Sequence, residues 1–527
     1  IMEGGGFDVV LGNPPWDTMS PDYKEFFSVY DPNIRHMSPE EQKAAYARLL
    51  SVPKLAAKWE QHCIDLYAAA HFMKSSGRYR LFAQGNLGKG DFNVFRMFVE
   101  TALAATKRGR VAAQFVPEGL YNGANSTEIR KEIFGRFRLT TIAGFENKNE
   151  IWFKGVDSTT KFCLYVAWKG GKTDHFQASF KINTVEKLHR FSAGETLKIP
   201  VSIVSEFSPD AFAVMDFAAQ SEIDICSRMY RLYPKFGENL NGHPHREYMR
   251  ELDMGTDSHL FSHGDEGYPL IQGRMIEAYD YRASGYLSGH GTRSNWEVLP
   301  FGSKEKGIRP QWRVLIENLP EKVSGRSRRY RLGFRDVAKP ANQRTLIAAL
   351  IPPETACGHK VPTIEFNSGS LSYQLLWLGI ANSLVMDFLV RKKVSLTMSY
   401  TVLDSLPFPR DYENTSSAHE IARRVCSLCA VGAEMADFRN AAIKAGILSS
   451  IDDVIEAHDQ RAIISAEVDA LVARDVFALT KEEMLYILNP DNILGENSGV
   501  ETFKALRNAD VRNFGEFRTQ RLIEEAW

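Results

Sequence analysis

The chain has 527 residues, too many for a single hydrophobic core, and reads as about two to four domains. Its 44% hydrophobic and 24% charged content excludes a disordered or fibrous protein. A net charge of −1 excludes a global basic field, so any nucleic-acid surface must be a local patch. The six cysteines (63, 163, 226, 357, 426 and 429) are scattered and point to a reducing, cytoplasmic setting. Cys426 and Cys429 lack a second Cys/His pair and read as buried helix cysteines, so no metal site is expected. The most apolar window, 375–390, contains Asn382, Ser383 and Asp387 and is too short for a membrane span.

Residues 7–11, Phe7-Asp8-Val9-Val10-Leu11, predict a strand buried on both faces of a parallel sheet. It runs through Gly12 into Asn13-Pro14-Pro15-Trp16. Neither proline can donate to a ladder, and Pro15 holds Pro14 extended, so the loop is stiff. An amide, two backbone carbonyls and a flat ring are thereby presented at the carboxyl edge of a sheet, where α/β folds bind ligands. That set suits an exocyclic amine such as adenine N6, whose lone pair is delocalised into the ring. The Asn13 side-chain oxygen and the Pro14 carbonyl can accept its two N–H bonds, and Trp16 can stack on a base flipped from the duplex.

These ten residues resemble motif IV of amino-group DNA methyltransferases, in the gamma-class N6-adenine branch. The resemblance extends to the large bacterial type IIG restriction–modification enzymes and to the adenine methyltransferases of the DISARM and BREX phage-defence systems. It implies a Rossmann-like, doubly wound α/β methyltransferase sheet, S-adenosylmethionine as methyl donor, and double-stranded DNA as substrate. It also implies that a glycine-rich cofactor loop, motif I, precedes residue 1. Phe236-Gly237-Glu238-Asn239 and Gly289-His290-Gly291 lack the strand-before, helix-after context of that loop. The chain is therefore expected to be the C-terminal part of a longer polypeptide.

Residues 17–76 predict a helical insertion, with Ser38 capping and Pro39 in the first turn of one helix. Next comes Gly77-Arg78-Tyr79-Arg80 through Gly90-Asp91-Phe92-Asn93, which resembles a family segment. There Asp91 or Asn93 would cap a helix running to about residue 107. Residues 109–117 read as a strand ending in a proline loop, 125–137 as a helix, 139–145 as a strand and 161–168 as a final strand. Between the last two, Glu146-Asn147-Lys148 and Ile151-Trp152-Phe153-Lys154 resemble the family segment whose aromatic residue packs on the second face of the flipped base. The resemblance puts Phe153 at that position, with Trp152 as the adjacent alternative.

The expected partition is a partial catalytic domain over 1–170, a connector over 171–240, a mixed α/β target-recognition domain over 241–410 and a helical region over 411–527. Leu270-Ile271-Gln272-Gly273-Arg274 resembles the start of the family's recognition domain. From 322 to 344 there are eight basic residues (Lys322, Arg326, Arg328, Arg329, Arg331, Arg335, Lys339, Arg344) against one acidic residue, Asp336. Arginine forks with an interleaved Tyr330 suit phosphate contacts. Arg274, Arg326, Arg328, Arg329, Arg331, Arg335 and Arg344 are the expected DNA contacts. Residues 371–394 read as one helix, and Arg518 and Arg521 as either DNA contacts or surface ion pairs.

The function expected is site-specific adenine-N6 methylation in a restriction–modification or phage-defence system, with helicase or nuclease subunits as further partners. The alternatives are a DNA-recognition module without its own catalysis and, more remotely, a protein or rRNA methyltransferase.

Overall fold

A computed structural model describes residues 5–85, 92–394, 397–494, 500 and 502–527. The expected cap Asp91 lies outside these residues. The chain forms two compact units, Ile1–Ile223 and Asp224–Trp527.

The first unit is built on a six-stranded mixed sheet. Its strands are β1 (Phe7–Gly12), β2 (Thr106–Pro117), β3 (Phe137–Glu146), β4 (Lys161–Lys169), β5 (His175–Ile182) and β6 (Leu197–Pro200), in the spatial order β1-β2-β4-β3-β5-β6. β1 runs parallel to β2, and β3 parallel to β5. β4 is inserted antiparallel between β2 and β3, and β6 is antiparallel to β5. The ends of β1, β2, β3 and β5 and the start of β4 therefore share one edge, the carboxyl edge. β5 and β6 lie in the stretch expected to be a connector, yet they extend this same sheet.

β1 differs from expectation. Val9 is 61% and Leu11 74% exposed. Among the described residues β1 pairs only with β2, so it is an edge strand, and an apolar sequence does not by itself supply a covering layer.

The insertion is helical, as its composition predicts. Ser38 and Glu41 form a reciprocal capping box at the helix Pro39–Leu50. Tyr23 stacks on Trp59 (4.4 Å) and on Tyr46 (5.4 Å), which closes a small aromatic core around the buried Phe27 and Ile34. The helix Pro53–Ser75 has no fully buried side chain and packs on that core only in part, through Trp59.

The second unit contains two four-stranded sheets and a hairpin. One sheet has the order β14-β13-β16-β7 and the other β15-β9-β12-β8, while β10 and β11 pair alone. These strands are β7 (Arg246–Met249), β8 (Phe261–Ser262), β9 (Tyr268–Ile271), β10 (Ser284–Ser288), β11 (Asn295–Val298), β12 (Arg313–Val314), β13 (Arg331–Phe334), β14 (Ala348–Ile351), β15 (Ala356–Cys357) and β16 (Thr363–Phe366). The expected single helix over 371–394 is two, Leu371–Ala381 and Leu384–Lys393, both largely buried. Ser383 caps the second through the Met386 N–H, and the Asn382 amide donates to and accepts from the backbone of Ala348 at 2.9 Å each. Asp387 accepts the N–H groups of Thr345 and Leu346. Asn382, Ser383 and Asp387 thus lock the helix break to the strand Ala348–Ile351 and the segment before it. No single helix among the described residues is long and apolar enough to cross a membrane; these two pass together only as a pair bent by 62°.

The 411–527 stretch is mainly helical and belongs to the second unit. Cys426 and Cys429 are buried in the helix Ser416–Cys429, as expected. Gly515 ends the helix Lys504–Phe514 in the left-handed conformation (φ 76°) that glycine adopts without penalty. Arg518 pairs with Asp459 and Arg521 with Glu516 and Glu525, so both are ion-paired.

Buried Asp469 accepts the Leu384 N–H at 2.6 Å and lies 3.6 Å from Arg344. Burial outweighs Arg344 and pushes its carboxyl up to about 6. A proton is then held more tightly in the folded state than in the unfolded one, so stability falls as pH rises from about 4 to about 6. We expect Asp469→Asn, which keeps the acceptor for Leu384, to remove about 2–3 kcal/mol of this pH dependence. Urea-unfolding midpoints of the two proteins across pH 4–7 check it; parallel curves would show that Asp469 is not the responsible group.

Candidate active-site loop

Asn13 leaves the carboxyl end of β1, one residue beyond the Gly12–Gln114 pairing with β2. Its side chain is exposed, Pro14 is buried beneath it, Pro15 is exposed and Trp16 half-buried. The loop is clamped from the facing segment. The Asn93 amide donates to the Trp16 carbonyl at 2.7 Å, the Val94 N–H donates to the Asp17 carbonyl at 2.9 Å, and the Met19 N–H donates to the Phe92 carbonyl at 3.0 Å. Asn93 also accepts the Phe95 N–H at the start of the helix Phe95–Ala105. Asn93, one of the two residues read from sequence as the helix cap, sits one residue before the N-cap position, Val94, and braces the Asn-Pro-Pro-Trp loop.

The aromatic partner comes from the far side of the same edge. The Asn147 side chain, fully buried, accepts the N–H groups of Trp152 and Phe153 and donates to the carbonyls of Phe153 and Val156, all at 2.9–3.1 Å. It moulds the 147–156 loop. Sequence reasoning assigned Asn147 no role; its only signal was the Phe145-Glu146-Asn147 pattern. Within this loop the two aromatic candidates separate. Trp152 donates its indole N–H to the Ile182 carbonyl (3.0 Å) and packs on Phe145, so it belongs to the core. Phe153 meets Trp16 edge to face at 5.7 Å, and Trp16 also lies 5.5 Å from Phe162. The structure thus brings Trp16 and Phe153 together, but in mutual contact. The Trp16 Nε1 is buried with no acceptor among the described residues.

A polar cluster that sequence reasoning missed lies on the same carboxyl edge, where β2 ends and β4 begins. Tyr121 donates to Asp216 at 3.0 Å, and Glu118, directly after β2, lies 4.0 Å from Lys161. Burial raises the carboxyls of both Glu118 and Asp216 above the usual range. Also in this unit, a cavity of about 800 Å³ lies beside the loop, lined by Pro15, Asp17, Glu25, Phe26, Tyr79 and Phe98 among others.

The expected DNA-contacting arginines are not equivalent. Arg331 is fully buried in a two-pronged pair with Glu251 (2.6 and 3.0 Å), and Arg326 is buried against Thr363 and Glu365. These two are structural and cannot reach a phosphate, which corrects the expectation for them. Arg329 is exposed but holds Glu365 through two bonds of 3.0 and 2.8 Å. Arg335 pairs with Glu277, and Arg344 donates to the Asn382 carbonyl. Arg274 is exposed and donates to the Ser294 carbonyl, while Arg328 is exposed with no ion pair among the described residues.

The two glycine segments set aside as cofactor-loop candidates are closely packed. At Gly237 the space a Cβ would take is filled by Asp404 (2.6 Å), and at Gly289 by the Arg293 carbonyl (2.5 Å).

Fold and loop together define an α/β protein with an Asn-Pro-Pro-aromatic loop at the carboxyl end of a strand. Comparison with protein-family models gave no match, and neither did comparison with curated proteins. Among solved structures the chain is similar to the type IIL restriction–modification enzyme MmeI in complex with DNA, at 12% identity and a TM-score of 0.38, covering 90% of this chain and 54% of that one. It is also similar to the type IIG restriction endonuclease BpuSI, at 13% identity and a TM-score of 0.32, covering 87% and 55%. A type I restriction–modification methyltransferase subunit from Streptococcus thermophilus matches at 15% identity and a TM-score of 0.25, covering 41% and 39%. The chain spans about half the length of the first two.

Proposed function

We propose that this chain is the catalytic and recognition portion of a site-specific DNA adenine-N6 methyltransferase in a bacterial restriction–modification or phage-defence system. The observation that carries this reading is the braced Asn13-Pro14-Pro15-Trp16 loop at the carboxyl end of β1, facing Phe153. S-adenosylmethionine, when bound, supplies an activated methyl group. The chain's own residues prepare the acceptor. The Asn13 side-chain oxygen and the Pro14 carbonyl accept the two N–H bonds of N6, which turns the nitrogen lone pair out of conjugation. Trp16 and Phe153 part to hold the flipped adenine, whose unpairing the aromatic contact offsets. Catalysis here is positioning, with no acid–base residue required before attack.

The brace makes a prediction. Asn93→Asp keeps the acceptor for the Phe95 N–H and loses the donor to the Trp16 carbonyl. It should lower kcat roughly tenfold, the worth of about one hydrogen bond, and destabilise the fold by about 1–2 kcal/mol, because a carboxylate oxygen then faces the Trp16 carbonyl. A variant with wild-type kcat would show that the Trp16 carbonyl needs no holding.

The reaction itself is tested with the full-length gene product, duplex DNA and methyl-labelled S-adenosylmethionine, followed by nucleoside analysis. Label in N6-methyldeoxyadenosine supports the proposal. Label only in methylcytosine or in protein overturns it, and binding of a specific DNA without any transfer would favour a recognition module lacking catalysis.

A further inference from the structure

The hairpin β10–β11 is the least enclosed piece of sheet in the second unit, with Leu287 50% and Val298 79% exposed. Yet the loop that closes it, residues 289–294, is tightly held. The Gly289 carbonyl accepts the Tyr286 hydroxyl at 2.7 Å and the amide of buried Gln311 at 3.3 Å. Ser294 donates its hydroxyl to the Gly291 carbonyl (2.8 Å), accepts the Trp296 indole N–H (3.0 Å), and offers its carbonyl to Arg274 (3.0 Å). Gly289 has φ 84° and sits 2.5 Å, measured from an ideal Cβ, from the Arg293 carbonyl, so no side chain fits there.

What this framework presents is polar and outward. His290 and Arg293 are exposed on the loop. Beside them the exposed His263 lies 3.9 Å from the ring of Trp312, and His290 lies 6.2 Å from the same ring. Arg293 forms no ion pair among the described residues, whereas Arg309, on the strap behind the hairpin, is held by Glu297. Five side-chain hydrogen bonds fix a surface loop whose own cation has no internal task. Such pre-organisation serves recognition rather than folding.

We propose that the 289–294 loop is the base-reading element of the chain. The two-stranded ribbon enters the major groove, which is wide enough to admit one, and Arg293 donates in a fork to O6 and N7 of a single guanine. Arg274 acts as a positioning residue by holding the Ser294 carbonyl, in place of the direct DNA contact expected from sequence. This inference rests on the DNA-binding reading above.

The test is selection by the purified full-length protein from a library of randomised duplexes, wild type beside Arg293→Ala, with Arg328→Ala as a control for a phosphate contact. Wild type should enrich a motif containing guanine, and Arg293→Ala should lose about ten- to hundredfold of the preference at one position only. Arg328→Ala should weaken all sequences alike and reduce the salt dependence. A wild-type motif that Arg293→Ala leaves intact overturns the inference while the DNA-binding reading stands. Equal weakening of every sequence by Arg293→Ala also overturns it, as a backbone contact. Failure of the wild type to enrich any sequence overturns both.

Discussion

Arg331→Ala is expected to destabilise the second unit by about 3–5 kcal/mol, because it strands a buried carboxylate. Arg331 and Glu251 have fully buried side chains. Around the pair, Arg331 donates to the carbonyls of Thr355 (2.8 Å) and Pro352 (3.2 Å), and Glu251 accepts the Cys357 N–H (2.7 Å) and the Thr363 hydroxyl (3.0 Å). The network ties β13 to β15 and β16. A double variant, Arg331→Met with Glu251→Leu, should recover part of the loss by removing both charges. Recovery stays partial, because the Cys357 N–H then lacks its acceptor, while the Thr363 hydroxyl keeps only the Met249 carbonyl at 3.3 Å. Chemical denaturation of the three proteins checks the order. A wild-type midpoint for Arg331→Ala would contradict the buried pair and return Arg331 to the DNA-contacting set.

Asn13→Ala carries the largest effect expected on chemistry. The side chain is exposed, so stability should change by no more than about 0.5 kcal/mol. Methyl transfer should fall by about 10²–10³, the effect typical of deleting one group aimed at the developing charge, while DNA affinity holds. Asn13→Asp retains an acceptor and should keep more activity than alanine. Rates under single-turnover conditions, beside DNA binding curves, separate the two effects. Equal rates for Asn13→Ala and wild type would remove the loop from the mechanism.

The parts of this architecture that local chemistry dictates were legible in the sequence. The strand into Asn13-Pro14-Pro15-Trp16, the Ser38 capping box and the buried helix cysteines each depend on residues close together in the chain. What failed depends on distant partners. The exposure of β1 follows from which strands lie beside it, and Val9 and Leu11 carry no record of that. The arginine cluster over 326–331 reads as a phosphate surface until its acids are found, with Glu251 80 residues from Arg331 and Glu365 36 from Arg329. The break at Asn382-Ser383 interrupts an apolar run because the Asn382 amide is needed at Ala348. Gly289-His290-Gly291 was considered only as a cofactor loop and set aside; its hairpin role needs Tyr286, Gln311 and Trp296.

The central claim is that the Asn13 loop methylates adenine N6 in a defined DNA site. Long-read mapping of N6-methyladenine tests it most directly, in a methylation-free host expressing the full gene as wild type or as Asn13→Ala. The account predicts one methylated sequence motif in the wild type and none in the variant. A well-expressed wild type that leaves the genome unmethylated, alone and beside its neighbouring genes, or a variant that methylates the same motif, would contradict it.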